Sequence, residues 1–471
     1  MKSLVWFRRD LRVADNKALF HAAREATEGV IGIYVITPQQ WLQHDDAACK
    51  VKFWLDNLRE LSLALEKLQI PLRIKTCDSF AEVPETIGKF AKKHRCSTLY
   101  LNREYEVNEL RRDNQVADKC EQIEVAVRRF HDRVIVSPHE IKTKEGKFYS
   151  VFTPYRKVWD TKVQDWIDPV GKPKKQPEMK LEPSKVPKKV DGFDFKNVRE
   201  DLWKPGEKAA LANLKKFGKK IGNYSDARDI PSLSGTSLLS PYLAAGVISP
   251  RQCVAAAMAT NGSSQNQDGV KQWISELCWR DFYIQVMVAV PRVSMHQPFK
   301  LKTNALKWRN SETDFAAWTN GHTCDPIVDA GMRQLNRTGW MHNRLRMVTA
   351  MFLTKHLLID WRMGERYFMQ KLIDGDLASN NGGWQWSAST GTDSVPYFRI
   401  FNPFSQSKRF DVDGAFIKKM CPELEPVPAS ALHDPKKLTA AIEKNEIEYP
   451  GFVVDYKSGR ERALKAFKSL A

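Results

Sequence analysis

Several features that would settle the class of this chain at once are missing. No apolar run approaches the roughly 18 residues of a membrane span. The opening MKSLVWFRRDLR has only Leu4 to Phe7 before Arg8, too little for a signal peptide. The 8 cysteines are scattered and form no CxxC pair, which excludes a zinc ribbon and argues against a secreted disulfide scaffold. A reducing, cytoplasmic setting is therefore expected. Neither GxGxxG nor GxxxxGK[ST] occurs, so the usual nucleotide fingerprints are lacking. The 10 histidines include no HExxH, and no cysteine–histidine spacing suits zinc, so no metal is expected. No serine sits in a GxSxG elbow.

What is present is a chain of 471 residues, enough for two or three domains with sizeable cores. With 42% hydrophobic and 28% charged residues it is globular in balance. Its formal net charge of +18 attracts polyanions. Of 14 tryptophans, Trp273, Trp279, Trp308, Trp318, Trp340, Trp361, Trp384 and Trp386 crowd into one stretch. A single tryptophan usually packs a core; a run of them beside Arg, Asn and Asp points beyond packing.

Residues 1–130 alternate β-branched runs (Leu4–Phe7, Val30–Ile36, Leu72–Thr76, Thr98–Leu101 and Ile123–Phe130) with amphipathic stretches (Asn16–Ala26, Lys50–Leu68, Glu82–His94 and Glu109–Lys119). That rhythm predicts an α/β domain with a Rossmann-like parallel sheet covered on both faces. Residues 131–204 are expected to connect it to an all-α domain over 205–471. The connection includes GKPKKQPEMKLEPSKVPKKV, Gly171–Val190, whose prolines and lysines predict a solvated linker.

Three constellations carry chemistry. In GTSLLSPYLAAGVISPR, Gly235 permits an unusual turn, and Thr236, Ser237 and Ser240 offer hydroxyls at the mouth of a helix beginning near Pro241. Such a mouth suits a phosphate, although it also reads as an ordinary N-cap. Trp273, Glu276, Trp279, Arg280 and Tyr283 fall on one helical face, too polar for a plain core stripe and suited to the wall of a pocket for a planar ligand. In WMHNRLRM, Asn343 and Met347 share a face while Arg344 and Arg346 diverge; His342 is a lone histidine, more often structural than catalytic. An inward arginine needs a carboxylate, and DGDLASNNGGWQW supplies Asp374 and Asp376. In that run Trp384 and Trp386 diverge if helical, and Asn-Asn-Gly-Gly allows close backbone approach to a ligand.

Together these motifs, with VWFRRDLR, YEVNE (Tyr105–Glu109), YSVFTPYRKVW (Tyr149–Trp159) and PYFRIFNP (Pro396–Pro403), resemble the DNA photolyase and cryptochrome family, most closely the bacterial class I cyclobutane-pyrimidine-dimer photolyases. The resemblance implies a monomer that binds UV-damaged DNA and holds FAD in its helical domain. Tyr224 and the loop Thr236, Ser237, Leu238, Leu239, Ser240 would hold the phosphates, with Trp273 and Arg280 nearby. Asn343, Arg346, Asp374, Asp376 and Asn380 would surround the isoalloxazine. Trp384, Trp361 and Trp308 match the chain that passes electrons inward under light. An extruded dimer would lie between Trp279 and Trp386, with Glu276 on its carbonyl edge and Asn343 and Met347 completing the pocket. Arg228, Arg344 and Arg399 would meet DNA phosphates.

The same comparison separates dimer repair from its cousins. Relatives acting on the (6-4) photoproduct carry histidines at the positions of Asn343 and Met347, and signalling cryptochromes usually append a long tail, whereas this chain ends at Ala471. The rival readings are a blue-light receptor that binds FAD without repair, and a basic nucleic-acid-binding protein whose tryptophans merely stack bases. Three departures stand out. Leu238 replaces a frequent arginine, and GHTCDP (Gly321–Pro326) replaces GxTGYP. Asn108 and Glu109 match the folate pair of the first domain, yet VSMHQPF (Val293–Phe299) lacks the cysteine and lysine that complete it. The implied antenna is 5,10-methenyltetrahydrofolate, with a flavin as the alternative.

Overall fold

The computed structural model describes residues 1–260, 267–309 and 311–470. Strands β1 (Lys2–Phe7), β2 (Val30–Ile36), β3 (Leu72–Thr76), β4 (Cys96–Asn102) and β5 (Ala126–Phe130) form one parallel sheet in the order β3-β2-β1-β4-β5. Its central strands are near-continuous apolar runs because both faces are covered: every residue of β2 is buried. On one face Leu4, Trp6, Ile31, Ile33, Leu99 and Leu101 pack against Ile87 and Phe90 of the helix Val83–Lys93 and Val116 of the helix Val107–Glu121. On the other, Gly32 leaves room for Phe7, Leu72 and Leu65, the last from the helix Ala48–Glu66. Asn16 starts the helix Lys17–Glu25 by accepting from Leu19 N at 3.1 Å.

The strands and helices fall close to where the hydrophobic periods place them. β5 is the exception, beginning at Ala126 and not at Ile123. The preceding helix closes on itself there, with Val125 N donating to Cys120 O at 2.9 Å and Glu124 at φ 58°.

The segment expected as a solvated linker is instead fastened along the sheet side. Gln176 is buried, its amide N bonded to Leu68 O at 2.9 Å and its Nε2 to Ala23 O at 3.1 Å. Ser184 N reaches Leu72 O at 2.8 Å, and Met179 and Leu181 pack on the apolar cluster of the sheet. Composition registered the exposed lysines but not the polar and apolar residues spaced between them.

The chain forms two compact units. The first comprises Met1–Gly222, Ser237–Pro291 and Ile373–Ala378; the second comprises Asn223–Thr236, Arg292–Leu372 and Ser379–Ala471. The helices Glu207–Gly218, Pro250–Ala259 and Gln267–Ala289 thus belong with the sheet. The second unit is built on an apolar cluster that includes Trp318, Leu345, Leu353, Trp361, Phe368 and Trp384. Its helices Asn343–Met351 and Trp361–Lys371 are separated by a π-helical turn, Phe352–His356. Among the described residues no helix is long and apolar enough to cross a membrane.

Candidate functional site

A parallel sheet sends all its carboxyl ends to one edge, and here those ends are charged. β1 runs into Arg8 and Arg9, β4 into Glu104 and Glu106, and β5 into Asp132 and Arg133. Two buried ionic groups result. In one, Arg251 places Nη2 2.7 Å from Asp132 Oδ1 and 3.0 Å from Asp15 Oδ2, while Arg12 takes the other oxygen of Asp132. Burial alone would raise the Asp132 carboxyl, but Arg12 and Arg251 outweigh it and hold it at about 2. In the other, Arg9 lies 2.6 Å from Glu104 and 2.7 Å from Glu106, and Arg133 bridges Glu106 at 3.1 Å and Asp376 at 2.8 Å.

The C-terminal half of GTSLLSPYLAAGVISPR serves this architecture. Ser249 and Gln252 form a capping box on the helix Pro250–Ala259. Gly246, at φ 67°, passes so close to Arg9 and Asp10 that a Cβ would sit 2.6 Å from the Asp10 Cα. Sequence reasoning missed Arg251; its only signal was an arginine inside a motif otherwise read as a ligand loop.

Asn108 and Glu109 come together with a histidine the sequence did not single out. Gln40 Nε2 and Asn108 Nδ2 lie 2.9 and 3.1 Å from His44 Nε2, and both amides donate to it. The ring proton therefore sits on Nδ1, 3.6 Å from Glu109 Oε1. Burial, and then the charge of Glu106, push the Glu109 carboxyl up to about 8. A carboxyl raised in the fold stabilises it fully below its unfolded value of about 4.3, and that contribution is lost as pH climbs to about 8. Thermal melts of the protein and of Glu109→Gln between pH 5 and 8 should diverge by about 1 kcal/mol per pH unit, with the variant gaining.

On the helix Gln267–Ala289, Trp279 stacks on Phe152 with centroids 3.6 Å apart and planes 8° from parallel. One indole face is thus taken by the YSVFTPYRKVW segment. Glu276 is half-buried, and Gln272 donates to its Oε1 at 2.9 Å, fixing the carboxyl group. Trp273 is buried against Phe217, whose ring is 4.9 Å away, and borders an apolar cavity of about 470 Å³. Arg280 turns inward and donates to Arg133 O.

The loop before Ser240 departs from expectation in one respect. The unusual backbone belongs to Leu238, at φ 54°, whereas Gly235 is required by space: a Cβ there would lie 2.7 Å from the Ala227 carbonyl carbon. The helix it leads into, Ser240–Ala244, is only 5 residues long, so the hydroxyls of Thr236, Ser237 and Ser240 matter more than any helix dipole. Leu238 is exposed and Leu239 buried; Tyr224 is buried under the Arg228 guanidinium, 5.5 Å from its ring.

In the second unit Arg344 reaches Asp229 at 2.7 Å and covers Phe410 at 4.4 Å, and Arg228 lies 3.7 Å from the same Asp229. Two arginines thus approach one carboxylate. Arg399 is exposed beside the exposed Phe398. Asn343 is exposed and Met347 half-buried, one turn apart, while Arg346 Nε donates to Met341 O at 2.8 Å. His342 caps this helix, accepting from Arg344 N at 3.2 Å; burial lowers it to about 4, so it is a neutral cap at pH 7. Cys324 takes a left-handed backbone (φ 65°), and Asp325 and Asp329 accept from the hydroxyls of Tyr456 and Tyr449. The GHTCDP departure therefore lies in the core of this unit.

Asp374 and Asp376 are both buried, and the helix Leu377–Ala388 follows. Asn380 Nδ2 donates to Glu365 O at 3.0 Å, which directs its carboxamide oxygen away as an acceptor. Asn381 binds Glu365 Oε1 at 2.8 Å and receives Gln385 Nε2 at 2.8 Å, locking this helix to its neighbour. Among the described residues a Cβ on Gly383 would meet nothing within 4 Å, so none of them demands glycine there. Trp384 is 2% exposed and Trp361 1%, Trp308 is half-buried, and Trp386 is half-buried on the other side of the helix. Trp318, passed over in the sequence, buttresses Trp384 edge-on at 6.0 Å.

Comparison with known proteins places these features. Residues 3–178 match the DNA photolyase domain and residues 273–469 the FAD-binding domain of DNA photolyase. The chain is 42% identical to the deoxyribodipyrimidine photo-lyase of Salmonella typhimurium over 99% of its own length and 98% of that protein's. The crystal structure of a bacterial class III photolyase from Agrobacterium tumefaciens superposes with a TM-score of 0.88 at 34% identity, covering 100% of this chain and 97% of that one. An archaeal photolyase from Sulfolobus tokodaii, solved with two FAD molecules, gives 0.80 at 29% identity and full coverage of both chains. Fold and site define a flavoprotein that joins a parallel-sheet domain to a helical one. The chain belongs to the DNA photolyase family, and its helical part is that family's FAD-binding domain.

Proposed function

We propose that this protein repairs cyclobutane pyrimidine dimers in DNA under light. Burial of the tryptophans carries the reading. Trp384 and Trp361 are enclosed in one apolar cluster against which Trp308 packs, so they are closed to stacking on bases. A protein that stacks bases keeps its aromatics exposed, whereas electrons can be relayed through buried indoles.

The residues present fit FAD. Asn380 turns a neutral acceptor oxygen outward from Glu365, and Gly383 leaves its backbone open to a ring. When bound and photoexcited in reduced form, FAD supplies the electron that opens the cyclobutane ring and receives it back. Tyr224 and residues 236–240 would bind its phosphates, with Trp273 and Arg280 beside them; Asn343, Arg346, Asp374, Asp376 and Asn380 would orient its ring. Glu276, held by Gln272 at 2.9 Å, would meet the base edge, and Trp279, Trp386, Asn343 and Met347 would contact the lesion. Trp308, Trp361 and Trp384 would relay electrons inward. Residues 1–130 would house the antenna folate at His44, Asn108 and Glu109, residues 131–204 would connect, and residues 205–471 would do the chemistry, in a cytoplasmic monomer. Extraction of the bound chromophores distinguishes folate from a second flavin.

The decisive assay is loss of dimers from an irradiated duplex with reductant and light; dimers that persist although flavin is bound and reduced make the chain a receptor. Glu276→Ala should slow repair roughly tenfold to a hundredfold, the worth of one hydrogen bond to a charged group, with flavin content unchanged. Affinity for damaged DNA should fall with a log–log salt slope of about −3 if Arg228, Arg344 and Arg399 each meet a phosphate. Arg399→Ala should remove about 1 from that slope.

A further inference from the structure

The second ionic group at the sheet edge forms a chain whose first link, to Glu109, is a 4.0 Å contact and whose other links are ion pairs. Glu109 Oε1 lies 4.0 Å from Arg9 Nη2, which lies 2.7 Å from Glu106 Oε1; Glu106 Oε2 is 3.1 Å from Arg133 Nη1, and Arg133 Nη2 is 2.8 Å from Asp376 Oδ2. Apart from the Arg9 side chain, which is 14% exposed, its members are all less than 10% exposed. One end carries a residue of the antenna site and the other a residue of the flavin site.

We propose that Arg133 is a positioning residue that couples these two sites, so that occupation of the first alters affinity for FAD at the second. The proposal rests on the reading of Glu109 and Asp376 as chromophore residues. Strand topology created the chain: Arg9 follows β1, Glu106 follows β4 and Arg133 follows β5, three neighbouring strands whose ends point the same way. A guanidinium is a rigid planar fork, and Arg133 spends one terminal nitrogen on Glu106 and the other on Asp376, so it cannot follow one carboxylate without turning against the other. Arg9 divides itself among Glu104, Glu106 and Glu109, and Arg112 holds the far oxygen of Glu104. A chromophore that draws on Glu109 changes the share of Arg9 left to Glu106, and thereby the grip of Arg133 on Asp376.

The test is linkage. FAD affinity is measured by flavin fluorescence on folate-depleted protein, with and without saturating 5,10-methenyltetrahydrofolate, for the wild type, Arg133→Gln, Arg133→Lys and the isosteric Glu106→Gln. Folate should change the FAD dissociation constant about tenfold in the wild type. The ratio should fall to about one in Arg133→Gln and Glu106→Gln and recover in part in Arg133→Lys. Glu106→Gln keeps the test alive if Arg133→Gln does not fold. A merely structural role would weaken both ligands while the ratio persisted, and that result overturns the coupling, as does a wild type whose FAD affinity ignores folate. Asp376→Asn separates the two levels. If it leaves FAD affinity unchanged, the flavin-site reading fails and the coupling with it; if it weakens FAD while Arg133→Gln spares the ratio, only the coupling fails.

Discussion

Replacing Arg251 with alanine should lower the stability of the sheet unit by roughly 3–5 kcal/mol and its thermal midpoint by about 10 °C. The side chain is wholly buried, and its fork is fully used: Nε donates to Asp15 Oδ2 at 3.1 Å, Nη2 to Asp132 Oδ1 at 2.7 Å, and Nη1 to the Asp132 carbonyl at 3.2 Å. Removing it strands carboxylates that cannot reach water, and breaking one partner of a buried group costs more than the intact group contributes over an apolar core. Arg12 remains on Asp132, and Ser249 and Val170 N remain on Asp15, which keeps the loss within that range. Lysine should recover little, because one ammonium cannot replace three directed donors. Acid provides a second readout. Asp132, depressed to about 2, contributes stability that is full above its unfolded value of about 3.9 and lost as pH falls through about 2. Without Arg251 the depression weakens, and the acid limb should begin at higher pH. A midpoint and acid limb unchanged from the wild type would remove Arg251 from the account of the fold.

Gly364→Ala is expected to invert a simple rule. In an exposed helix interior the change stabilises by about 1 kcal/mol. Here the new Cβ would lie 2.5 Å from Trp384 Cζ3 and 2.7 Å from Leu353 Cδ2. Trp384 has no room to yield, with Phe368 edge-on at 5.0 Å and Trp318 at 6.0 Å, so the substitution should destabilise by about 1–3 kcal/mol. It should also displace the indole, slowing light-driven reduction of the bound flavin, while chemically pre-reduced enzyme repairs dimers at close to the normal rate. A slowdown of both activities together would mean that the helix itself has shifted and that Trp384 has no separate role.

Much of the fold was legible because its signals are local. Period-two and period-3.6 runs placed the strands and helices of the sheet domain to within a few residues, since those periods are set by backbone geometry. The helical placement of Trp384 and Trp386 was also legible, two residues being enough to turn one inward and leave the other half-exposed. The linker misled because a proline-rich, lysine-rich composition says nothing about which intervening residues dock, and Gln176 and Met179 dock through partners more than 100 residues away. His44 carried no motif at all; only the meeting of the end of the helix Pro38–Gln43 with the start of the helix Val107–Glu121 places it beside Asn108 and Glu109.

The sequence by itself determined which elements form and, through its resemblance to the photolyase family, the class of chemistry and the candidate residues for it. These follow from spacing along one helix or strand, and from motifs too specific to recur by chance. Only the tertiary structure decided which charges are paired, which tryptophans are sealed from solvent and where the backbone is forced left-handed. Those are properties of segments far apart in the chain: Arg251 acquires its meaning from Asp15 and Asp132, Gly364 from Trp384, and Arg133 from Asp376. Burial and desolvation, which set the cost of each such pairing, exist only once the chain has closed around it.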